Sequence, residues 1–215
     1  MAEILNFRGS GRRAPKAVLR RVAGNRGQGR RTDDAIGRSR SHLTPGEIEQ
    51  LIDAAGRVGR HRVRDRALIL LAYRHGLRVS ELVALKWDSV DLKAGRLHVN
   101  RKKRGTPSTQ PIEGDELRAL RALQRAYPDS PFLLAGERGP LSRSAVSKIV
   151  QRAGEEAGIP FPVTPHQLRH ACGYYLANRG TPTRTIQAYL GHKNIAHTAR
   201  YTALSATAFK GLWDT

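Results

Sequence analysis

The sequence predicts a mainly α-helical domain with one small antiparallel β-sheet. Three observations carry that expectation. Apolar residues recur at helical spacing along most of the chain after residue 42. One stretch, "GRLHVNRKKRGTPSTQPIE", changes to strand-like alternation around a basic, glycine-containing turn. The 215 residues are 39% hydrophobic, enough for a real core, yet the longest apolar run is "ALILLAY", far short of a bilayer span.

Taken in order, the ordered domain opens at "LTPGEIEQLIDAAG", where Thr44 as cap, Pro45 at the first helical position and Glu47 three after the cap form a capping box. A helix over about 61–75 is stopped by Gly76, and another starts near Ser80. Two short strands surround the basic turn at 102–105, and "SPFLLAGE" is read as a third. Residues 113–126 and 142–157 are amphipathic helices. Three helical pieces finish the domain, at about 165–179, 183–190 and 194–203, with Asn194 placed to cap the last. No internal repeat is present.

Residues 1–41 differ in composition from the rest of the chain. They hold 11 Lys and Arg against 3 acids, with glycines and few large apolar side chains, and are read as a flexible basic arm. The division is thus 1–41 as arm and 42–215 as folded domain, which itself carries +12 of the net +20. Such charge calls for a polyanionic partner, nucleic acid before anionic membrane, since no strongly amphipathic basic helix stands out. The N-terminus has an acid near its start and no adequate apolar core, so it does not read as a secretory signal. The single cysteine, Cys172, excludes an internal disulfide, fits a reducing compartment, and reads as a small buried side chain.

The chemistry concentrates late in the chain. His166, Arg169, His170, His192, Arg200 and Tyr201 fall within 36 residues of one another. A zinc site is disfavoured: His166 and His170 have helical i, i+4 spacing, but Gln-Leu-Arg lies between them and no Asp or Glu occurs from 157 to 213. Taken singly, each histidine or tyrosine is more often a packing residue, and His170, Tyr174, Tyr175 and Tyr189 are read that way. Phosphate chemistry explains more of the cluster. Guanidiniums match non-bridging phosphate oxygens with paired donors, histidine and lysine move protons, and tyrosine offers a hydroxyl nucleophile. His166 and Arg169, three apart, address one phosphate from one helix face. A second arginine is needed, and Arg78 supplies it between the helix stop at Gly76 and the start at Ser80.

In that order "GLRVSEL", a strand-turn lysine, "HQLRH", "GH" and a tyrosine nine residues on resemble the tyrosine recombinases, the phage-integrase family. The resemblance covers roughly 42–213. It is nearest to the small recombinases that switch type 1 fimbrial genes, through "RHGLRVSEL", "LANRGTPTRTIQAYLGHKNIAHTARYT" and "GLWD". Those also lack a separate N-terminal core-binding domain.

The resemblance implies the family's catalytic-domain fold and a set of roles. Arg78 and Arg169 clamp the scissile phosphate, His166 is an acid/base or phosphate contact, His192 donates to a non-bridging oxygen, and Tyr201 forms a 3′-phosphotyrosine. The hairpin lysine falls within "NRKKRG", where Lys103 is favoured and Lys102 and Arg104 are read as DNA contacts; alternation places Lys102 and Lys103 on opposite faces. The implied partners are double-stranded DNA and three further copies in a tetramer on paired sites, with a DNA-bending or directionality factor left open. No metal, nucleotide cofactor or membrane is required, and the implied location is the cytoplasm, at the nucleoid. The 14 residues after Tyr201 limit exchange between protomers; Phe209, Leu212 and Trp213 dock either on a neighbour or at home. The rival readings are a non-cleaving DNA-binding regulator of the same fold, a type IB topoisomerase-like nicking enzyme, and an RNA-binding basic protein.

Overall fold

The computed structural model describes residues 42–101, 107–137 and 139–202, all within one compact unit of the chain. The arm 1–41, the hairpin residues Lys102, Lys103 and Arg104, and the C-terminal Phe209, Leu212 and Trp213 lie outside the described residues.

Helix α1 (Pro45–Ala55) begins as its capping chemistry dictates: Thr44 N–H donates to Glu47 Oε2 at 2.8 Å and Glu47 N–H donates to Thr44 Oγ1 at 3.3 Å. Helix α2 (Arg62–Arg74) runs through the middle of the domain, and every residue from Ala67 to Tyr73 is buried. Seven consecutive buried residues need neighbours on every side, and α1, α4 (Gly114–Ala126) and α6 (Pro165–Asn178) pack around this helix. Gly76 ends this helix with φ +54°, and a Cβ there would sit 2.3 Å from Leu190 Cδ2. Backbone conformation and close approach both require glycine at that position.

The short helix α3 (Val79–Leu82) follows at once, and a 3₁₀ turn at Trp87–Ser89 leads to the sheet. Its strand order is β1-β2-β3, all antiparallel, with β1 at Val90–Asp91, β2 at Arg96–Val99 and β3 at Ser108–Pro111. Leu97 and Val99 face the core while Arg96 and His98 face outward, the period-2 pattern of a half-buried strand.

The third strand is therefore Val90–Asp91, and "SPFLLAGE" does not join this sheet. Leu133 and Leu134 are both buried, which breaks the alternation a sheet strand needs. The segment instead runs into the core, with Leu133 N–H donating to the Leu85 carbonyl at 3.1 Å. The end of the same stretch does form a strand, β4 (Ala135–Gly136), which pairs with β5 (Gly139–Pro140) in a separate ribbon.

Helix α5 (Arg143–Glu156) starts at a Ser142 cap, whose Oγ accepts from Ala145 N–H at 3.1 Å. Helices α6, α7 (Thr183–Leu190) and α8 (Ala196–Thr202) pack on one another at the end of the domain. Asn194 Oδ1 accepts from Ala196 N–H at 2.9 Å, as the capping expectation required. Gly191, at φ +65° and ψ +44°, turns the chain left-handedly out of α7 and starts the segment carrying His192. Among the described residues no helix is long and apolar enough to cross a membrane.

Candidate active site

Arg78 occupies the position before α3 in extended backbone conformation. Its main-chain N–H donates to Glu81 Oε2 at 3.0 Å and its Nη1 donates to Glu81 Oε1 at 2.7 Å. Nη2 reaches the Gly191 carbonyl at 3.3 Å. About a third of the side chain remains open to solvent (34%), so the guanidinium is oriented by the protein yet accessible to an anion.

Arg169 lies near the start of α6 and is buried. It donates through Nη1 to the Gly76 carbonyl and through Nη2 to the Leu190 carbonyl at 2.7 Å. Burial, with Arg78 and Arg101 nearby, lowers its pKa to about 10, so it stays charged at neutral pH. Both arginines thus bind carbonyls of the α7–α8 turn. A shallow cleft between them is lined by Leu77, Arg78, Val79, Ser80, His166 and Arg169, with the exposed Arg143 at its edge.

His166, on the first turn of α6, is exposed and meets the His170 ring edge-on at 4.3 Å between centroids. Burial of part of its ring, then the charges of Arg169, Arg200 and Arg78, lowers its pKa. His192 Nδ1 lies 2.9 Å from Thr198 Oγ1, and its ring stacks against Tyr201 with centroids 6.2 Å apart and 24° between planes. Burial and the Arg169 and Arg78 charges lower the His192 pKa to about 3, leaving a neutral ring at pH 7.

Tyr201 sits in α8 at 2% exposure, its ring against Gly173 of α6, where a Cβ would be 2.6 Å from the tyrosine Cε2. Its hydroxyl lies 3.0 Å from His170 Nδ1 and its ring meets Tyr174 edge-on at 5.0 Å. Burial raises its pKa, and Arg169 and Arg200 counteract part of that rise.

The fold therefore brings Arg78, His166, Arg169, His192 and Tyr201 to one place from four segments of the chain. His170 is buried as expected, but it packs directly against Tyr201 rather than in anonymous core. Tyr174 packs as read, and Tyr189 is half-buried with its hydroxyl donating to the Arg74 carbonyl at 2.9 Å. Tyr175 packs edge-on against Tyr73 with centroids 6.2 Å apart, but it stays 38% exposed with Arg179 over its ring. Cys172 is buried and free, and burial pushes its thiol up to about 12.

Two site residues escaped the sequence reading. Glu81 is buried between Arg78 and Arg101, and Arg101 Nη1 donates to its Oε2 at 2.9 Å. Burial works against ionisation of Glu81, but the Arg78 N–H and the two guanidiniums outweigh it and hold the carboxyl below its usual range. Arg101 is 5% exposed and also donates through Nη2 to the Tyr189 carbonyl. Both left signals: Glu81 stands three after Arg78, and Arg101 continues the inward alternation of Leu97 and Val99.

Residues 41–207 match the phage integrase family. The chain is 44% identical over 182 residues to the type 1 fimbriae regulatory protein FimE of Escherichia coli (strain K12), covering 81% of this chain and 91% of that one. Its identity to FimB of the same strain is 41% over 186 residues, covering 84% and 92%. Among solved structures it is similar to XerA recombinase, with TM-score 0.70 at 28% identity over 80% of this chain and 64% of that one. A lambda integrase dimer bound to a COC′ core site gives TM-score 0.62 at 25% identity, over 79% of this chain and 50% of that one. The chain belongs to the phage integrase family, the tyrosine recombinases that cleave and rejoin DNA at specific sites.

Proposed function

We propose that Arg78, Lys103, His166, Arg169, His192 and Tyr201 form the centre that breaks and rejoins the DNA backbone. The single observation that carries the assignment is the convergence of two arginines, two histidines and Tyr201 around the turn at Gly191. Arg78 and Arg169 hold the non-bridging oxygens of one phosphodiester and stabilise the charge that builds on them in the pentacoordinate state. The Tyr201 hydroxyl oxygen attacks phosphorus, the bond from phosphorus to the 5′ oxygen breaks, and a 3′-phosphotyrosine forms. His166, unprotonated at neutral pH, takes the tyrosyl proton, and Lys103 supplies a proton to the leaving 5′ oxygen. His192, held by Thr198 and stacked on Tyr201, donates to a non-bridging oxygen. Attack by the 5′-hydroxyl of another strand reverses these steps. One ester replaces another throughout, so no external energy source is required.

Double-stranded DNA is the partner, supported by the net charge of +20 and by the DNA-bound lambda integrase of similar fold. Lys102 and Arg104 add backbone contacts, and the arm 1–41 adds eight net positive charges. Four copies on two sites complete the reaction in the cytoplasm at the nucleoid. Inversion, integration and excision differ only in how the two sites are arranged.

The test is covalent trapping in cells expressing the wild type and Tyr201→Phe. The cells are lysed in strong detergent, and DNA still attached to the protein is sequenced. DNA on the wild type alone confirms the assignment and delivers the site. DNA on neither, with native DNA binding intact, makes the protein a non-cleaving regulator.

A further inference from the structure

We propose that Arg101 is a positioning residue for DNA cleavage: it neutralises Glu81, so that Glu81 orients Arg78 without cancelling its charge, and it fixes the turn that carries His192. The inference rests on the roles assigned to Arg78 and His192 under the proposed function.

A phosphodiester site has no evident use for a carboxylate. Glu81 nevertheless sits beside Arg78 with its side chain 1% exposed. Its two oxygens are divided: Oε1 accepts from Arg78 Nη1 at 2.7 Å, whereas Oε2 accepts from Arg101 Nη1 at 2.9 Å and from the Arg78 main-chain N–H at 3.0 Å. With both arginines in place, Arg101 offsets the carboxylate, and the charges of Arg78 and Arg169 remain available to the incoming phosphate. Without Arg101, a buried carboxylate would face Arg78 alone, cancel its charge, and compete with phosphate for its guanidinium.

The second half of the role lies on the other side of Arg101. Its Nη2 and Gln110 Nε2, the latter at 2.9 Å, both donate to the Tyr189 carbonyl near the end of α7. Gln110 Oε1 in turn lies 2.7 Å from His75 Nδ1, and His75 Nε2 lies 2.9 Å from Glu116 Oε1. A buried polar row thus crosses from α4 through the end of α2 and β3, and ends at Arg101. The stem of Arg101 lies against Gly191, where a Cβ would be 2.9 Å from its Cγ and Cδ. Gly191 is also the residue whose carbonyl receives Arg78 Nη2 at 3.3 Å. Arg101 therefore touches both sides of the clamp without lining the cleft between Arg78 and Arg169.

Packing alone does not account for an arginine here. Its Nε is buried with no hydrogen-bond partner, and burial works against its charge. Replacing Arg101 and Glu81 together by apolar side chains of similar size would serve stability as well or better, whereas removing Arg101 alone leaves a buried carboxylate short of a partner.

The experiment uses the full-length protein and a duplex carrying the sequence recovered on the trapped wild type. Affinity and the single-turnover rate of covalent complex formation are measured separately for wild type, Tyr201→Phe, Arg101→Lys, Arg101→Met, Glu81→Gln and the Arg101→Met, Glu81→Gln pair. Arg101→Met is expected to bind DNA within about twofold of wild type and to cleave about tenfold or more slowly. Arg101→Lys should fall between the two. The decisive result is the pair: removing the uncompensated carboxylate should restore part of the rate lost in Arg101→Met, although Glu81→Gln alone slows cleavage. If Arg101→Met does not fold, Arg101→Gln and its pair with Glu81→Gln replace it. Wild-type cleavage by the single variant, or a loss that Glu81→Gln leaves unchanged or deepens, overturns the inference. A wild type that forms no covalent complex, or a Tyr201→Phe that does, overturns the assignment of the site instead.

Discussion

The hydroxyl of Tyr201 lies 3.0 Å from Nδ1 of His170, across the contact between α8 and α6. Burial, with His166, Arg200 and Arg169 nearby, lowers the pKa of His170 to about 3, so the partner of the tyrosine is a neutral ring. At 2% exposure the candidate nucleophile is stowed inside its own domain, and attack on a phosphate is expected to need a shift of α8.

That relationship predicts a change in reactivity. In the free protein Tyr201 should resist an acylating reagent such as N-acetylimidazole, while the exposed Tyr175 reacts. Binding of the specific duplex by His170→Ala or wild-type protein should raise labelling at Tyr201, read by peptide mass spectrometry. Fast labelling of Tyr201 in free wild-type protein would refute the stowed arrangement.

Tyr201→Phe should abolish covalent attachment and leave DNA affinity nearly intact, because only the hydroxyl is lost. The missing hydrogen bond to His170 should cost about 1 kcal/mol of stability, measurable by urea denaturation. A large fall in affinity would mean that Tyr201 contributes to binding as well as chemistry.

Arg169→Lys and Arg169→Ala should both depress cleavage by about 100-fold or more, since an ammonium cannot reproduce a planar guanidinium held by two carbonyls. Cleavage at the wild-type rate in either variant would remove Arg169 from the phosphate clamp.

Gly173→Ala probes the seat of the nucleophile. The new methyl would lie 2.6 Å from Cε2 of the buried Tyr201 ring, too close to be absorbed without moving α8. Helix geometry itself tolerates alanine, so the expected cost of about 1–3 kcal/mol comes from overpacking and should lower the Tm by several degrees. Unchanged Tm and cleavage would show that the tyrosine does not rest there.

Stability should fall as the solution is acidified from pH 7 to pH 5. His170 and His192 both titrate near 3 in the fold, against about 6.5 when free. The unfolded chain therefore takes up protons that the native protein does not, and stability present above 6.5 is lost progressively towards 3, at up to about 1.4 kcal/mol per pH unit for each group. Urea midpoints at pH 7, 6 and 5 test the direction, and His170→Asn should flatten the slope.

Capping chemistry made most helix boundaries legible. Thr44 with Glu47, Asn194 and Gly76 are local signals, and they act within one turn of the helix they delimit. The sheet was less readable because β1 has only two residues, Val90 and Asp91, too few to show alternation. At the site, residue types and motif order exposed Arg78, His166, Arg169, His192 and Tyr201. The contact between His170 and Tyr201 was hidden because it depends on how α8 crosses α6, which no spacing along the chain encodes. Glu81 and Arg101 were legible in principle, but a carboxylate near a phosphate site looks out of place until its second arginine is seen.

The two carbonyls that grip Arg169 belong to the main chain, at Gly76 and Leu190. Every amino acid brings such a carbonyl, so the grip does not depend on the chemistry of neighbouring side chains and survives most changes around it. It is vulnerable only where the backbone itself would have to move. At Gly76, any side chain must adopt φ +54° and displace Leu190 Cδ2 from 2.3 Å away, which pushes on both carbonyls at once. The residue with nothing to offer the DNA is thus the place where the smallest alteration would do the most harm.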